Sequence, residues 1–359
     1  MEEHMSRKLL SYTALGLILG NAAIADVPKV AVDISPVHSL VSRVMEGVGS
    51  PKLIIPAGAS PHEYSLRPSE AKSLQDADMV IWMGEDLAPW MENSIEKLAK
   101  NAEIITLLEI SETKLLDYRE GALFEEHDHG DHDDHDKDHD DHDDHDDHDD
   151  HDHDKDHDDH DDHDDHDDHD HDKDHDDHDD HDDHAGHDHG EHDPHAWLSL
   201  ENAQTWLNLV AGKLSAADPE NAGVYFGNAA AARSEIEELS KEVNSILDPV
   251  RGRSFVVFHD AYQYFETSFD FPASGAISLG DATDPSASRI AEIQGRVREE
   301  GINCVLSEPQ YNPNLVATVL EGTDAKTGVI DPLGVNLEPG PKLYGDLIRN
   351  MAKSLAGCL

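Results

Sequence analysis

The chain of 359 residues is poor in positive charge and in cysteine, and it has no apolar run long enough to cross a membrane. Its 26 Lys and Arg stand against 79 Asp and Glu, a formal net charge of −53, so it has no basic face of the kind nucleic acid requires. Two cysteines occur, Cys304 and Cys358. They lack CxxC spacing, which argues against a thiolate metal site. No HExxH helix or other paired catalytic signature is present. The most apolar stretch, residues 9–23, has roughly 15 apolar positions where a spanning helix needs roughly 20.

That stretch reads instead as the centre of an export signal. Arg7 and Lys8 precede it, and Ala23-Ile24-Ala25 offers small residues at the two positions that a signal peptidase reads. Residues 1–25 are therefore expected to be removed before Asp26, and the mature protein to reside beyond the inner membrane, in a bacterial periplasm. No cysteine stands at the cleavage point to accept a lipid. In an oxidising compartment two cysteines suggest one bridge, tying the C-terminal tail to a core strand, with two separate buried thiols as the alternative.

Positive charge is scarcest in residues 127–192, where 66 positions hold 23 His, 35 Asp, one Glu and three Lys. Such a composition buries no core and stays solvated. Lys137, Lys155 and Lys173 fall 18 residues apart, and the block starting at His135 recurs unchanged at His153, as expected of a duplicated unit whose composition matters more than its geometry. The tract carries −33 of the −53 and leaves −20 for the remainder. A plain acidic linker would share the charge, but a His at every third position adds nothing to solubility. Mixed imidazole and carboxylate favour borderline divalent ions such as zinc, nickel or copper(II) over calcium or magnesium. Protonating all 23 His would take the tract from −33 to −10 and should expel its metal.

Without the signal and the tract, 268 residues remain, enough for two lobes of ordinary size. Strands are expected at residues 29–34, 52–55, 79–83, 254–258, 303–306 and 328–330, alternating with helices at 37–45, 68–75, 200–214, 261–269, 285–301 and 314–320. This alternation implies βαβ units and mainly parallel sheets. Ser199 is placed to cap the helix at 200. Between the halves, Asp218 and Pro219 open a helical period that continues through Ile236, Leu239 and Val243 toward Pro249. About 29 residues at 1.5 Å each would span some 44 Å, longer than one lobe. The expected class is thus α/β, two lobes with mainly parallel sheets joined by one long rigid helix. The lobes cover 26–217, interrupted by the tract, and 249–359, with the linking helix at 218–248.

Four candidate metal ligands fall near strand ends or loop starts: His62 in G-A-S-P-H-E-Y, His195 in D-P-H-A-W-L-S, His259 after S-F-V-V-F, and Asp331 in I-D-P-L-G. Open α/β sheets gather ligands at the carboxyl ends of their strands. Three imidazoles and one carboxylate make a four-coordinate zinc shell. Each residue also has a plainer reading: a histidine after a strand is often a hydrogen-bonded loop residue, and Asp331 before Pro332 suits a turn or a cap. His38, where a helix begins, reads as packing or capping, and Met45, Met79, Met83 and the four Trp as core. With water on a three-histidine metal, Glu63 or Glu308 would be the base of a hydrolase, an alternative without a supporting motif.

The segments G-A-S-P-H-E-Y-S-L-R-P-S, D-P-H-A-W-L, V-V-F-H-D-A-Y and I-D-P-L-G resemble those of the periplasmic zinc-binding proteins of bacterial ABC uptake transporters, the zinc branch of the metal solute-binding proteins. The resemblance covers essentially all of the mature chain outside the tract. It implies two α/β lobes on one long helix, a His- and acid-rich insertion before the D-P-H motif, and His62, His195 and His259 as ligands. For the fourth place it leaves Asp331 or water, because the acid that some relatives carry just before the first histidine is replaced here by Pro61. Manganese-type relatives have an acid at the third histidine, so His259 favours zinc. The Cys304 and Cys358 pair matches a bridge found in some zinc members. The implied protein is a monomer that captures zinc and delivers it to an ABC permease in the inner membrane, with the tract collecting, buffering or sensing additional metal at weaker sites. A periplasmic metallochaperone is a possible further partner, and a stand-alone zinc buffer is the alternative to transport.

Overall fold

The computed structural model describes residues 27–119, 124, 192–278 and 285–359, which belong to one compact unit. The export signal, and the tract apart from His192, lie outside the described residues.

Short strands, buried at the centre of each sheet and more exposed at β2, β4 and β8 on the edges, build two sheets. In the first, β1 (Val30–Val32), β2 (Lys52–Leu53), β3 (Met79–Trp82) and β4 (Glu103–Thr106) are all parallel, in the order β2-β1-β3-β4. The apolar runs VAV and MVIW are buried throughout, as central parallel strands must be when helices cover both faces. The helices are α1 (Ser35–Val44), α2 (Pro68–Gln75), α3 (Pro89–Leu98) and α4 (Leu200–Ala217). Pro36, Pro68 and Pro89 sit in the first turns of α1, α2 and α3, where a missing N–H costs nothing. Ser199 caps α4 as expected, its Oγ accepting from the Asn202 N–H at 3.2 Å.

The second sheet has the order β6-β5-β7-β8, again all parallel, from β5 (Phe255–His259), β6 (Ala276–Ser278), β7 (Cys304–Ser307) and β8 (Lys326–Val329). Alternation along β5 divides its side chains between two cores. Val256 and Phe258 enter a small cluster with Ile293, Val297 and Val316 of the covering helices. Phe255 and Val257 join the main core, which runs without interruption into the first lobe. The expected fold class is the observed one.

The long helix α5 (Ala222–Leu247) spans 26 residues, about 39 Å at 1.5 Å per residue. It is preceded by a 3-10 turn at Pro219–Asn221 and followed by another at Asp248–Val250, so the α-helix proper is shorter than the period suggested. Asp218 does not cap the backbone with its side chain; its carboxylate accepts from Asn221 Nδ2 at 2.7 Å and from the Tyr225 hydroxyl at 2.9 Å. Tyr225, Ala229, Ala232, Ile236, Leu239, Val243 and Leu247 form its buried stripe, at the three- and four-residue spacing of one helical face. The helix packs on α1, α4 and α9 (Leu343–Cys358). The helix α9 leaves the second lobe and returns across α1 as well. Ser39 of α1 fixes its start: the Ser39 hydroxyl donates to the Gly340 carbonyl at 2.7 Å and accepts from the Tyr344 N–H at 2.9 Å. The joint between lobes is therefore a helix embedded in shared core rather than a free strut.

Cys304 on β7 and Cys358 at the end of α9 form a disulfide across 54 residues, Cα atoms 5.7 Å apart. By chain entropy a closed loop of this length stabilises the fold by about 4 kcal/mol. The double variant Cys304→Ala/Cys358→Ala should lose about that much in urea unfolding under oxidising conditions. An unchanged unfolding midpoint would contradict this.

Candidate metal centre

The three histidines reach one place from three parts of the fold. His62 lies on the loop after β2, His195 on the loop before a 3-10 turn at Ala196–Leu198, and His259 at the last position of β5. One ligand nitrogen from each lies within 4.8 Å of the other two. Ring centroids are separated by 5.5 Å for His62 and His195, 5.2 Å for His195 and His259, and 6.5 Å for His62 and His259. His195 and His259 are buried and His62 is half-buried. Among the described residues no other group of three His, Cys, Asp or Glu meets in this way.

Two of the rings are held by carboxylates. His195 Nδ1 donates to Asp193 Oδ1 at 2.7 Å, and the same oxygen accepts the His195 backbone N–H at 2.9 Å. His259 Nδ1 donates to Glu308 Oε1 at 2.6 Å, from the end of β7. Both carboxylates are buried. A neutral imidazole with its proton held at Nδ1 presents the Nε2 lone pair, and the neighbouring anion makes that nitrogen more basic. Such a pairing fixes ring orientation and tautomer together. The loop carrying His62 is held by the Trp90 indole N–H, which donates to the Pro61 carbonyl at 2.7 Å.

Between the rings is a cavity of about 10 Å³ for the centre of a water-sized sphere, on the order of one water or one ion. Trp197, Tyr311, Pro332 and Leu333 form part of its wall. The Trp197 indole donates to the Pro332 carbonyl at 3.0 Å, joining the His195 loop to the D-P-L-G turn of the second lobe. Tyr262 lies buried beside the site, and its hydroxyl is pushed well above the usual range by burial and by the charges of Glu308 and Asp331.

The fourth sequence candidate behaves differently. Asp331 is not in the cluster. Its Oδ1 accepts the N–H groups of Leu333 and Gly334 at 3.0 and 2.9 Å, and its Oδ2 accepts that of Val335 at 2.6 Å. Gln310 Nε2 adds a contact at 3.3 Å. The carboxylate ties off the turn that Gly334 makes with φ +76°, the plainer of its two readings. His38 packs as expected: it is buried, contacts the Pro51 carbonyl at 3.2 Å through Nε2, and burial pushes its pKa down. Glu308 is engaged at the His259 ring, and this reduces its suitability as a hydrolytic base. Asp193 is absent from the sequence candidates, and its position two residues before His195 is the one local signal of its role.

Comparison with known proteins adds three findings. The family model described as zinc-uptake complex component A, periplasmic, matches residues 30–358. The high-affinity zinc uptake system protein ZnuA of Paracoccus denitrificans is 44% identical over 353 residues, covering 97% of this chain and 98% of the relative. That of Haemophilus influenzae is 35% identical, covering 98% and 99%. Among solved structures, one of ZnuA aligns with a TM-score of 0.66 at 17% identity, over 93% of this chain and 99% of that one. The laminin-binding protein of Streptococcus agalactiae aligns at 0.65 and 18%, over 92% and 99%. At these identities the structures speak for the fold.

If the carboxylates orient the rings, Asp193→Asn and Glu308→Gln should each weaken metal binding by roughly 10- to 100-fold. Competition with a chromophoric chelator measures this. Affinities equal to that of the parent would show that the rings are oriented by something else.

Proposed function

The chain belongs to the family of periplasmic zinc-uptake component A proteins, and from that premise we propose that it captures zinc with His62, His195 and His259 and hands the ion to an ABC permease in the inner membrane. The family is one of solute-binding transport proteins rather than enzymes. The observation that carries the reading is the convergence of three imidazole nitrogens within 4.8 Å from both lobes, two of them backed by buried carboxylates. Neutral nitrogen donors in a four-coordinate site suit Zn²⁺, with water in the fourth place. The Asp331 carboxylate is already engaged by three backbone N–H groups of its own turn and lies outside the histidine cluster, and so water is preferred here.

The zinc is cargo, so the site must hold it and also let it go. Ligands shared between lobes make release a matter of small relative tilts: withdrawing one imidazole leaves too few donors. A permease that grips both lobes can drive this, and the embedded helix α5 restricts the movement to a few degrees of freedom. Among the described residues no helix is long and apolar enough to cross a membrane. In the proposed role the protein meets its permease from the periplasm, as a monomer.

Residues 127–192 add many weak imidazole and carboxylate sites, next in sequence to His195. Weak sites held close to a strong one raise the local concentration of metal, and we assign the tract to capture when zinc is scarce.

His62→Ala, His195→Ala and His259→Ala should each lose more affinity than the roughly 10- to 100-fold of the carboxylate variants. Native mass spectrometry of each variant at one equivalent of zinc reads this, and tight binding retained by all three would end the assignment. Removing residues 127–192 should slow zinc loading and reduce growth under zinc limitation while leaving the tight site intact. Unchanged loading and growth would remove the capture role.

A further inference from the structure

The chain segments that flank the tract do not simply exit from the first lobe. Asp117 and His192 face each other as an antiparallel bridge, with His192 Nδ1 donating to Asp117 Oδ1 at 2.9 Å. The Asp193 N–H donates to the Leu116 carbonyl at 2.8 Å. His192, the last residue of the tract, is thus paired with Asp117, and this neck lies against α6 (Gln263–Phe269) of the second lobe. The Tyr264 hydroxyl accepts from the Leu116 N–H and donates to the Asp193 carbonyl, each at 2.9 Å.

Arg119 completes the crossing. Its guanidinium is largely buried and meets two carboxylates of the second lobe, Asp260 and Glu266, which are more buried still. Nε donates to Asp260 Oδ2 at 3.0 Å and a second nitrogen reaches Asp260 Oδ1, while two N–H groups reach Glu266 at 2.7 and 3.1 Å. The Phe124 ring covers the guanidinium, its centroid 3.5 Å from Cζ. Asp260 directly follows His259, whose carbonyl accepts the Ala261 N–H at 2.9 Å in the same turn. Glu266 Oε2 also accepts the Ala273 N–H at 3.1 Å.

One line therefore runs by hydrogen bonds from His195 through Asp193 to Leu116 and along the chain to Arg119, and by hydrogen bonds from Arg119 to Asp260, the residue next to His259. It joins ligands of different lobes by a route separate from α5. We infer that Arg119 is a positioning residue for the metal centre, a clamp that holds the His259 turn in register with the His195 loop. A planar fork with five donors suits two carboxylates at once; a lysine keeps the charge but not the fork. Without the guanidinium two buried acids face each other with that cation gone, and the turn bearing His259 relaxes away from the neck. The inference rests on His259 being a zinc ligand.

The test uses the full chain carrying one equivalent of metal, comparing the parent with R119M, R119K and R43M. R43M removes an ion pair of α1 with Glu235, remote from the site, and controls for lost stability. The readouts are the slowest phase of zinc transfer to a chelator, the visible absorption of the Co²⁺ form, and the melting temperature of the metal-free protein. R119M should speed the slow phase by about tenfold or more and alter the Co²⁺ spectrum, R119K should fall between, and R43M should change neither. A parental rate and spectrum in R119M would overturn the proposal. So would acceleration in R119M and R43M that merely follows their loss of melting temperature. If R119M does not fold, R119K carries the same comparison, and a parental rate and spectrum in R119K then overturns it. H259A separates the two readings: if H259A keeps the slow phase, His259 is not a ligand and the site assignment itself fails.

Discussion

The centre depends on pairing a buried imidazole with a buried carboxylate, twice, at the boundary between two sheets. Asp193 and Glu308 are buried, where an isolated anion would be costly, and the Nδ1 protons of His195 and His259 offset that cost. In return each ring is fixed in a single orientation. His62, the more exposed of the three, closes the set from a loop. Two of the rings are thereby held firmly and the third is partly open to solvent, an arrangement suited, in the proposed role, to an ion that must both enter and leave.

The rest of the fold serves to keep those two pairs at a fixed distance. Parallel sheets place His259 and Glu308 at neighbouring strand ends of the second lobe, while the His195 loop leads directly into α4 and so into the core beneath α5. Because α5 lies under α1, α4 and α9 together, the two lobes share one continuous core. The disulfide fixes the end of α9 to the start of β7, the strand that leads into Glu308. A relative shift of the lobes must therefore deform packed side chains, and close packing resists that.

Much of this was legible in the sequence, for reasons that can be stated. Buried parallel strands announce themselves as apolar runs, and the buried stripe of α5 as a helical period. The three histidines stand in motifs that resemble a known family. The missed elements are mostly short or polar: β6 has three residues, and β4 exposes Glu103 and Ile104 at a sheet edge. For α3 and α9 the apolar period is present in the sequence, with buried Met91 and Ile95 in the one and Leu347, Met351 and Leu355 in the other. What no local pattern reveals is contact across the chain. His259 meets Glu308 over 49 positions and Arg119 meets Asp260 over 141, and these pairings depend on which strand ends and loops the topology brings side by side. Asp331 illustrates the converse: its motif is visible, but that its carboxylate accepts the N–H groups of its own turn becomes evident only once that turn is folded.

The most direct test of the account is X-ray absorption at the zinc edge on the full chain carrying a single equivalent of zinc. The account predicts a four-coordinate shell of three imidazole nitrogens and one oxygen, at distances of about 2.0–2.2 Å. A shell with fewer than three imidazoles, dominated by carboxylate oxygen, would place the tightly held ion elsewhere and contradict it.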